Sequence, residues 1–164
     1  MTPPSSGHEP SCESFGAIEP WVHRILVPID FSEASWEALK QAIPIARLMM
    51  AKITLLYVCQ AQLVATEFAH LPDQEFSIRK PSEDKLKALA HRRIPSELLA
   101  NIIVRNGVAY DEIVKAALEH KIDLIVINTR GNTGLKHALL GSTTERVVRH
   151  APCPVLVIRE RCHA

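Results

Sequence analysis

The chain has 164 residues, of which 47% are hydrophobic and 23% charged, and its formal net charge at pH 7 is +1. This length and composition are typical of one globular domain with a sizeable core. The small net charge argues against broad electrostatic attraction to nucleic acid or to an anionic membrane. No apolar run approaches the ~20 residues needed to span a bilayer, so we expect neither a nucleic-acid nor a membrane partner.

Residues 1–20 are rich in proline, serine, glycine and glutamate. They lack the basic start and apolar centre of a secretory signal, and we interpret them as a disordered tail before a domain at 21–160. The cysteines form no C-x-x-C pair, which favours reduced thiols in a cytoplasmic protein. The eight histidines are dispersed without ligand spacing, so no metal site is predicted.

Apolar runs predict the first part of a sheet. Arg24–Ile29 and Ile53–Val58 are predicted strands. Between them a helix is predicted to begin at Phe31-Ser32-Glu33, with Ser32 as its N-cap. From Gln60 to about Pro81 the periodicity weakens, which predicts a loop with short helical pieces before a helix over Glu83–Ala90.

The second half continues the alternation of strands and helices. Asn101–Arg105, Ile122–Ile127 and Val155–Ile158 are predicted strands, and Tyr110–His120 is a predicted helix with Leu118 on its inner face. Strands that are apolar throughout and alternate with helices indicate a parallel α/β sheet covered by helices.

The segment after the fourth strand carries the main chemical signal. Asn128-Thr129-Arg130-Gly131 is a polar loop, a short helical turn is predicted over 134–140, and Gly141 precedes a predicted helix. Ser142 and Glu145 fit the S-x-x-E capping box, which makes Ser142 the N-cap. A helix N-terminus directly after a glycine presents bare amides and suits a phosphate. Ordinary turn and cap residues are the alternative interpretation.

Asp30 is the only carboxylate that immediately follows a predicted strand. It either accepts hydrogen bonds from a ribose hydroxyl or a base amine, or it serves as a loop or cap residue. The chain lacks the GK[ST] of a Walker A loop, a G-x-G-x-x-G after its first strand and a G-x-S-x-G elbow, which excludes these familiar sites.

With these motifs in view, the chain resembles the universal stress protein family over about Trp21 to Arg159. The resemblance rests on Ile25–Ser32, Leu55–Val58, Gly107 with 111–114, and above all LLGSTTERVVRHAPCPVLVIR. It implies an open five-stranded parallel sheet in the order 3-2-1-4-5 with helices on both faces, Rossmann-like and similar to adenine nucleotide alpha hydrolases. It also implies a homodimer through the last strand, Val155, Leu156, Val157 and Ile158, an edge suited to pairing.

One branch of this family binds ATP through G-x-x-G, nine residues, and G-[ST]. Here Asn128 takes the first glycine position, Gly131 and Gly141 the others, and Ser142 supplies the hydroxyl. Asparagine tolerates a positive φ better than most residues, and its side chain either crowds the nucleotide or forms a new hydrogen bond to it. Met50 stands where the family usually has a helix-ending glycine, which predicts a left-handed residue costing about 1 kcal/mol.

The resemblance therefore implies a cytoplasmic stress-response protein that binds ATP, with or without Mg²⁺, as a regulatory ligand. Phosphates would lie against 131 and 141–143 with Arg130, ribose against Asp30, and the base against Val58 and Ile127. The predicted binding residues are Pro28, Ile29, Asp30, Val58, Ile127, Asn128, Arg130, Gly131, Gly141, Ser142 and Thr143. No catalytic residue is predicted, which leaves slow hydrolysis and self-phosphorylation open. The alternative is a dimeric interaction module of the same fold that binds no nucleotide.

Overall fold

The computed structural model of the protein describes residues 21–60, 73–129 and 141–159, with side chains of the second helix described from Lys80 onward. The predicted tail over 1–20, the predicted helical turn over 134–140, Arg130 and Gly131 lie outside the described residues. No helix in the described ranges is long and apolar enough to cross a membrane.

The described chain alternates strands with helices throughout. The elements are β1 Arg24–Pro28, α1 Glu33–Met49, β2 Lys52–Cys59, α2 Asp73–Arg93, β3 Leu99–Asn106, α3 Ala109–Glu119, β4 Leu124–Asn128, α4 Ser142–His150 and β5 Val155–Ile158. The strands form one five-stranded sheet in the order β3-β2-β1-β4-β5, and all paired strands are parallel. The predicted fold class and strand order are confirmed, with strand ends shifted by one or two residues.

Side chains of each central strand alternate between the two faces of the sheet. On one face Val27, Leu55 and Val126 pack with residues of α1 and α2, such as Leu39 and Leu86. On the other face Leu26, Leu56 and Ile125 pack with residues of α3 and α4, such as Ile113 and Val147. Because β1 neighbours both β2 and β4, the strand order reverses between β1 and β4, and the carboxyl ends of these strands flank a crevice there.

The N-cap predicted for α1 is confirmed. The Ser32 hydroxyl accepts a hydrogen bond from the Ser35 amide at 3.2 Å. At the other end Met50 is left-handed, as expected, with φ 53°, and its amide bonds to carbonyls of the preceding turn. The helix continues through Pro44.

The prediction for the segment before Pro81 is wrong where the structure describes it. One helix, α2, runs from Asp73 to Arg93 with Pro81 inside. The residues from Asp73 to Lys80, DQEFSIRK, have few apolar members, so the sequence gives little helical periodicity there. Leu86 and Ala90 are buried against the sheet, and packing of this later portion stabilises a helix that the local pattern does not predict.

Two side-chain predictions on the opposite face are also wrong. Leu118 was expected to face inward but is 59% exposed, whereas Ile113 and Ala117 are buried. Ser142 is not the N-cap of α4: Gly141 takes that position with φ −67° and ψ 147°, and no described residue provides a side-chain cap bond. The Glu145 carboxylate instead accepts a bond from Arg149 at 3.1 Å.

Candidate functional site

The first turn of α4 is fixed over the carboxyl end of β4. The Gly141 amide donates to the Thr129 carbonyl at 2.7 Å, and the Thr144 hydroxyl donates to the Asn128 carbonyl at 2.7 Å. The Thr129 amide donates in turn to the Ile158 carbonyl of β5 at 3.0 Å. These bonds explain the failed capping prediction, since they hold Gly141 extended and make Ser142 the first helical residue.

The start of α4 provides donors for an anion. The Glu145 amide is bonded to the Gly141 carbonyl at 2.9 Å, so the amides of 142–144 precede the first intrahelical bond and have no intrahelical acceptor. Within the described residues the helix has no side-chain cap either. The positive end of the helix dipole adds to these amides, and the combination suits a phosphate or another anion.

The turn from β1 into α1 is organised differently. An Asp30 carboxylate oxygen accepts bonds from the Ser32 amide at 3.0 Å and the Ser32 hydroxyl at 2.5 Å. The Ser35 hydroxyl donates to the Ser32 carbonyl at 2.8 Å. Both interpretations of Asp30 drawn from the sequence therefore keep support, because it braces the helix start and also borders the crevice.

Phe31, between Asp30 and Ser32, has a left-handed backbone with φ 63°. This conformation costs a bulky residue roughly 1–2 kcal/mol. Its ring lies 4.7 Å from the Tyr57 ring and 6.5 Å from the Trp36 ring, between centroids. The Lys85 ammonium lies 4.2 Å from the Phe31 centroid. Aromatic and cation–π contacts of this kind offset the backbone strain.

The two turns border one cavity of about 390 Å³. Nine of the eleven predicted binding residues line it, and the other two, Arg130 and Gly131, lie outside the described residues. The nine are Pro28, Ile29, Asp30, Val58, Ile127, Asn128, Gly141, Ser142 and Thr143. The fold therefore brings these nine predicted residues together at the carboxyl ends of β1 and β4.

Seven further residues line the cavity and were not predicted. They are Ser35, Leu56, Tyr57, Gln60, Ala109, Ile113 and Thr144. Some were accessible to sequence reasoning, because Tyr57 and Gln60 flank the predicted end of β2 and Ala109 follows Gly107 at the end of β3. Ser35 and Ile113 lie inside helices, and only the packed structure shows that they reach the cavity.

Asn128 differs from the other polar residues that line the cavity. Its side-chain nitrogen, Nδ2, is buried and has no hydrogen-bond partner within the described residues. A buried amide donor without an acceptor is unfavourable, which makes such a group an indicator of a missing partner.

Burial affects one titratable group beside the cavity, Tyr57, and one at the opposite edge of the sheet, Cys153. The pKa of Tyr57 is raised, chiefly by burial and then by the neighbouring Cys59, with a smaller contribution from the charge of Asp30. The pKa of the Cys153 thiol is also raised, by burial and by the charge of Asp123. A raised thiol pKa disfavours the nucleophilic thiolate, in line with a packing role for Cys153.

The sequence of the chain is similar to that of known proteins. The profile of the universal stress protein family matches residues 22–159. Universal stress protein MJ0531 of Methanocaldococcus jannaschii is 34% identical over 143 residues, covering 84% of this chain and 82% of its own length. Universal stress protein YxiE of Bacillus subtilis is 30% identical over 146 residues, covering 84% and 99%.

The fold of the chain is also similar to solved structures of universal stress proteins. Universal stress protein UspA from Lactobacillus plantarum superposes with a TM-score of 0.70 at 30% identity, covering 84% of this chain and 98% of its own. A universal stress protein in complex with cAMP gives a TM-score of 0.53 at 25% identity, covering 84% and 97%. The chain belongs to the universal stress protein family.

Proposed function

We propose that this protein binds ATP as a regulatory ligand in the cavity between β1 and β4 and acts in the stress response of the cytoplasm. The observation that carries the proposal is the start of α4, where amides without intrahelical acceptors border a cavity of about 390 Å³ at the reversal of strand order. That a universal stress protein occurs in complex with cAMP supports a nucleotide as the class of ligand.

The phosphates would lie against α4. Gly141, Ser142 and Thr143 would donate from their amides, and the two hydroxyls of Ser142 and Thr143 would add donors. The family resemblance adds Arg130 and Gly131 to this half of the site. An Mg²⁺ ion would then be held mainly by the phosphates, as is common for this metal.

The nucleoside would lie against β1 and β2. Asp30 would accept from a ribose hydroxyl, and Val58 with Ile127 would provide apolar contact for the base. Val58 is half-buried, and both residues line the cavity, so they place apolar groups beside the polar ones. A mostly apolar cavity with a few placed polar groups is typical of small-molecule sites.

Rapid hydrolysis is not part of the proposal. Among the described residues that line the cavity, Asp30 is the one carboxylate, and it already accepts two bonds from Ser32. A general base must reach the water that it activates, whereas Asp30 is engaged in the α1 turn, across the cavity from the phosphate end. Binding without fast turnover suits a regulatory ligand.

The test is thermal unfolding of the purified protein with and without Mg-ATP. A ligand at 100 times its dissociation constant adds about 2.7 kcal/mol of stability, which corresponds to a rise in Tm of roughly 5–11 °C for a chain of this size. An unchanged Tm at millimolar Mg-ATP, together with no adenine nucleotide released on denaturation, would favour the dimeric module without nucleotide.

The variant Gly141→Val tests whether ATP binds beside the start of α4. Gly141 has φ −67° and ψ 147°, a conformation that valine adopts readily, so the variant is expected to fold. Its side chain would occupy the space beside the first amides of α4 and abolish the ATP-induced rise in Tm. Val148→Ala is the matched control, since Val148 is on the same helix and is 47% exposed; it should keep the rise.

We also propose a homodimer through β5, the terminal strand of the sheet beside β4. Ile125 and Thr129 donate to the carbonyls of Pro154 and Ile158, so the intervening alternation directs the backbone groups of Val155 and Val157 away from β4. Leu156 is 37% exposed on this strand. An edge with outward amides and apolar side chains is suited to pairing with a second copy.

Light scattering after gel filtration tests the dimer. Val157→Pro removes an outward N–H while leaving the bonds to β4 in place, and we expect a monomer. Val157→Thr keeps the N–H and the β-branched shape, and we expect it to remain dimeric. A dimeric proline variant would place the interface elsewhere.

A further inference from the structure

We infer that Asn128 is a specificity-determining residue whose side-chain amide donates a hydrogen bond to the ribose of the nucleotide. The inference rests on the proposed function and identifies the part of the nucleotide that Asn128 contacts. Its basis is the buried side-chain nitrogen without a partner in the described residues, on a residue that lines the cavity.

The face of the sheet on which this side chain lies points to the ribose rather than the phosphates. Along β4, Val126 packs with the α1 and α2 cluster and Ile127 with the α3 and α4 cluster. Strand alternation therefore places the Asn128 side chain on the α1 face, as does its pairing with Ile158, which packs with the same cluster. The phosphate-binding amides belong to α4 on the opposite face.

The same argument places Asn128 near Asp30. The paired part of β1 and β4 ends at Leu26 and Ile125, and beyond it Asp30 and Asn128 both line the one cavity between these strands. Asp30 supplies an acceptor and Asn128 a donor on the two sides of the crevice. A sugar hydroxyl both donates and accepts, so this pair is chemically matched to a ribose hydroxyl.

No backbone movement is required for the contact. A half turn of the side-chain amide exchanges its nitrogen and oxygen, which are nearly equivalent in shape. In the complex, the N–H that lacks a partner would donate to an oxygen of the ligand. Binding would satisfy a donor that the described protein leaves unsatisfied, so the gain on binding includes relief of that cost.

The experiment is a thermodynamic cycle that combines substitution of Asn128 with removal of a ribose hydroxyl from the nucleotide. Titration calorimetry measures the dissociation constants of ATP, 2′-deoxy-ATP and 3′-deoxy-ATP for the wild type, Asn128→Leu and Asn128→Gly. Leucine keeps branching at Cγ but has no N–H, and glycine restores the residue of the family motif. Unfolding without ligand checks the fold, and Asn128→Leu should melt no lower than the wild type, because it removes a buried donor that lacks an acceptor.

We expect the wild type to prefer ATP over at least one deoxy analogue by about tenfold, the size of one hydrogen bond. Both variants should bind ATP about tenfold more weakly and lose that preference, since coupling between two groups disappears when either is removed. Equal preferences in all three proteins would overturn the inference, as would tighter ATP binding by Asn128→Gly, which would mean that the asparagine obstructs the site.

If the proposed function itself is wrong, the titrations give a result that differs from a failure of the inference about Asn128. If no protein of the three binds any of the nucleotides, the ATP proposal itself falls. If Asn128→Gly alone binds ATP, the location of the site is right, but the inference about Asn128 is overturned and the native cavity does not take ATP.

Discussion

Two helices begin at the same edge of the sheet, and they satisfy their first amides in opposite ways. At α1, the Ser32 hydroxyl and carbonyl take the amides of Ser35 and Trp36, and Asp30 braces Ser32. At α4, Gly141 has no side chain with which to cap, and the described residues supply no side-chain cap bond. The start of α1 is capped by a side chain of the chain itself, whereas the start of α4 has no such cap within the described residues and has capacity for a ligand.

Because the two helix starts differ, we expect the serine beside each of them to have a different role. Ser32 and Ser142 each stand beside a helix N-terminus at the same edge of the sheet, yet Ser32 is the N-cap and Ser142 is the first residue inside its helix. The position of a serine relative to the cap decides whether its hydroxyl serves folding or remains directed to the cavity. The free energy of unfolding should therefore respond to one serine and ligand binding to the other.

The largest change in stability is expected for Ser32→Ala. The substitution removes the N-cap of α1 and a donor to Asp30, and should lower the free energy of unfolding by about 1–2 kcal/mol. Thermal unfolding would show a loss in Tm of roughly 2–4 °C per kcal/mol for a chain of this size. Ser32→Thr, which preserves a hydroxyl that can both accept at the N-cap and donate to Asp30, should recover most of the loss. A loss below 0.3 kcal/mol would break the contrast between the helices.

A smaller loss is expected for Thr144→Val. Thr144 is 3% exposed, and its hydroxyl donates to the Asn128 carbonyl at 2.7 Å. Valine keeps the shape of threonine but leaves that carbonyl without this donor, which should cost about 1 kcal/mol. Urea unfolding measures the change. Thr144→Ser, which retains the hydroxyl, is the control and should lose less stability, whereas a Thr144→Val variant as stable as the wild type would show that the hydrogen bond does not contribute.

The order of strands and the edge that carries the cavity were predictable, because each strand is a separate apolar run and the family resemblance supplied the order. The cap of α4 was not. Ser142 and Glu145 satisfy the capping pattern in sequence, but the bond from Gly141 to the Thr129 carbonyl fixes the chain one residue earlier. A contact between residues distant in the sequence overrode a local motif.

Other features of the site depend on contacts that no local pattern records. Phe31 carries a positive φ that its residue type disfavours, and it is stabilised by Tyr57 from β2 and Lys85 from α2. The unpartnered nitrogen of Asn128 likewise follows from burial in the folded chain. The sequence identified Asn128 as a departure from the family motif, but only the fold shows which face its side chain occupies.

Ser142→Ala should change stability least and binding more. Ser142 is exposed and does not cap α4, so the free energy of unfolding without ligand should change by less than about 0.5 kcal/mol. If its hydroxyl binds a phosphate, ATP affinity should fall by roughly threefold to tenfold. Calorimetry and unfolding on the same preparation separate the two. Loss of stability equal to that of Ser32→Ala would show that both serines serve their helices.

The smallest expected effect is a loss of stability at alkaline pH. It tests how well water is excluded from the α1 end of the cavity. Burial raises the pKa of Tyr57 in the folded protein, while in the unfolded chain it should titrate near pH 10. The unfolded chain therefore releases this proton first. The contribution to stability is complete below about pH 10 and is lost as pH rises through the raised pKa.

Absorbance of tyrosinate during a pH titration should show one tyrosine ionising late, and Tyr57→Phe should remove that component. Since Cys59 and then Asp30 also raise this pKa through their charges, Asp30→Asn should shift the ionisation of Tyr57 slightly toward lower pH. An unshifted Tyr57 in the wild type would mean that water reaches this end of the cavity as freely as it reaches the exposed Ser142 at the start of α4, so the two ends of the cavity would not differ in burial.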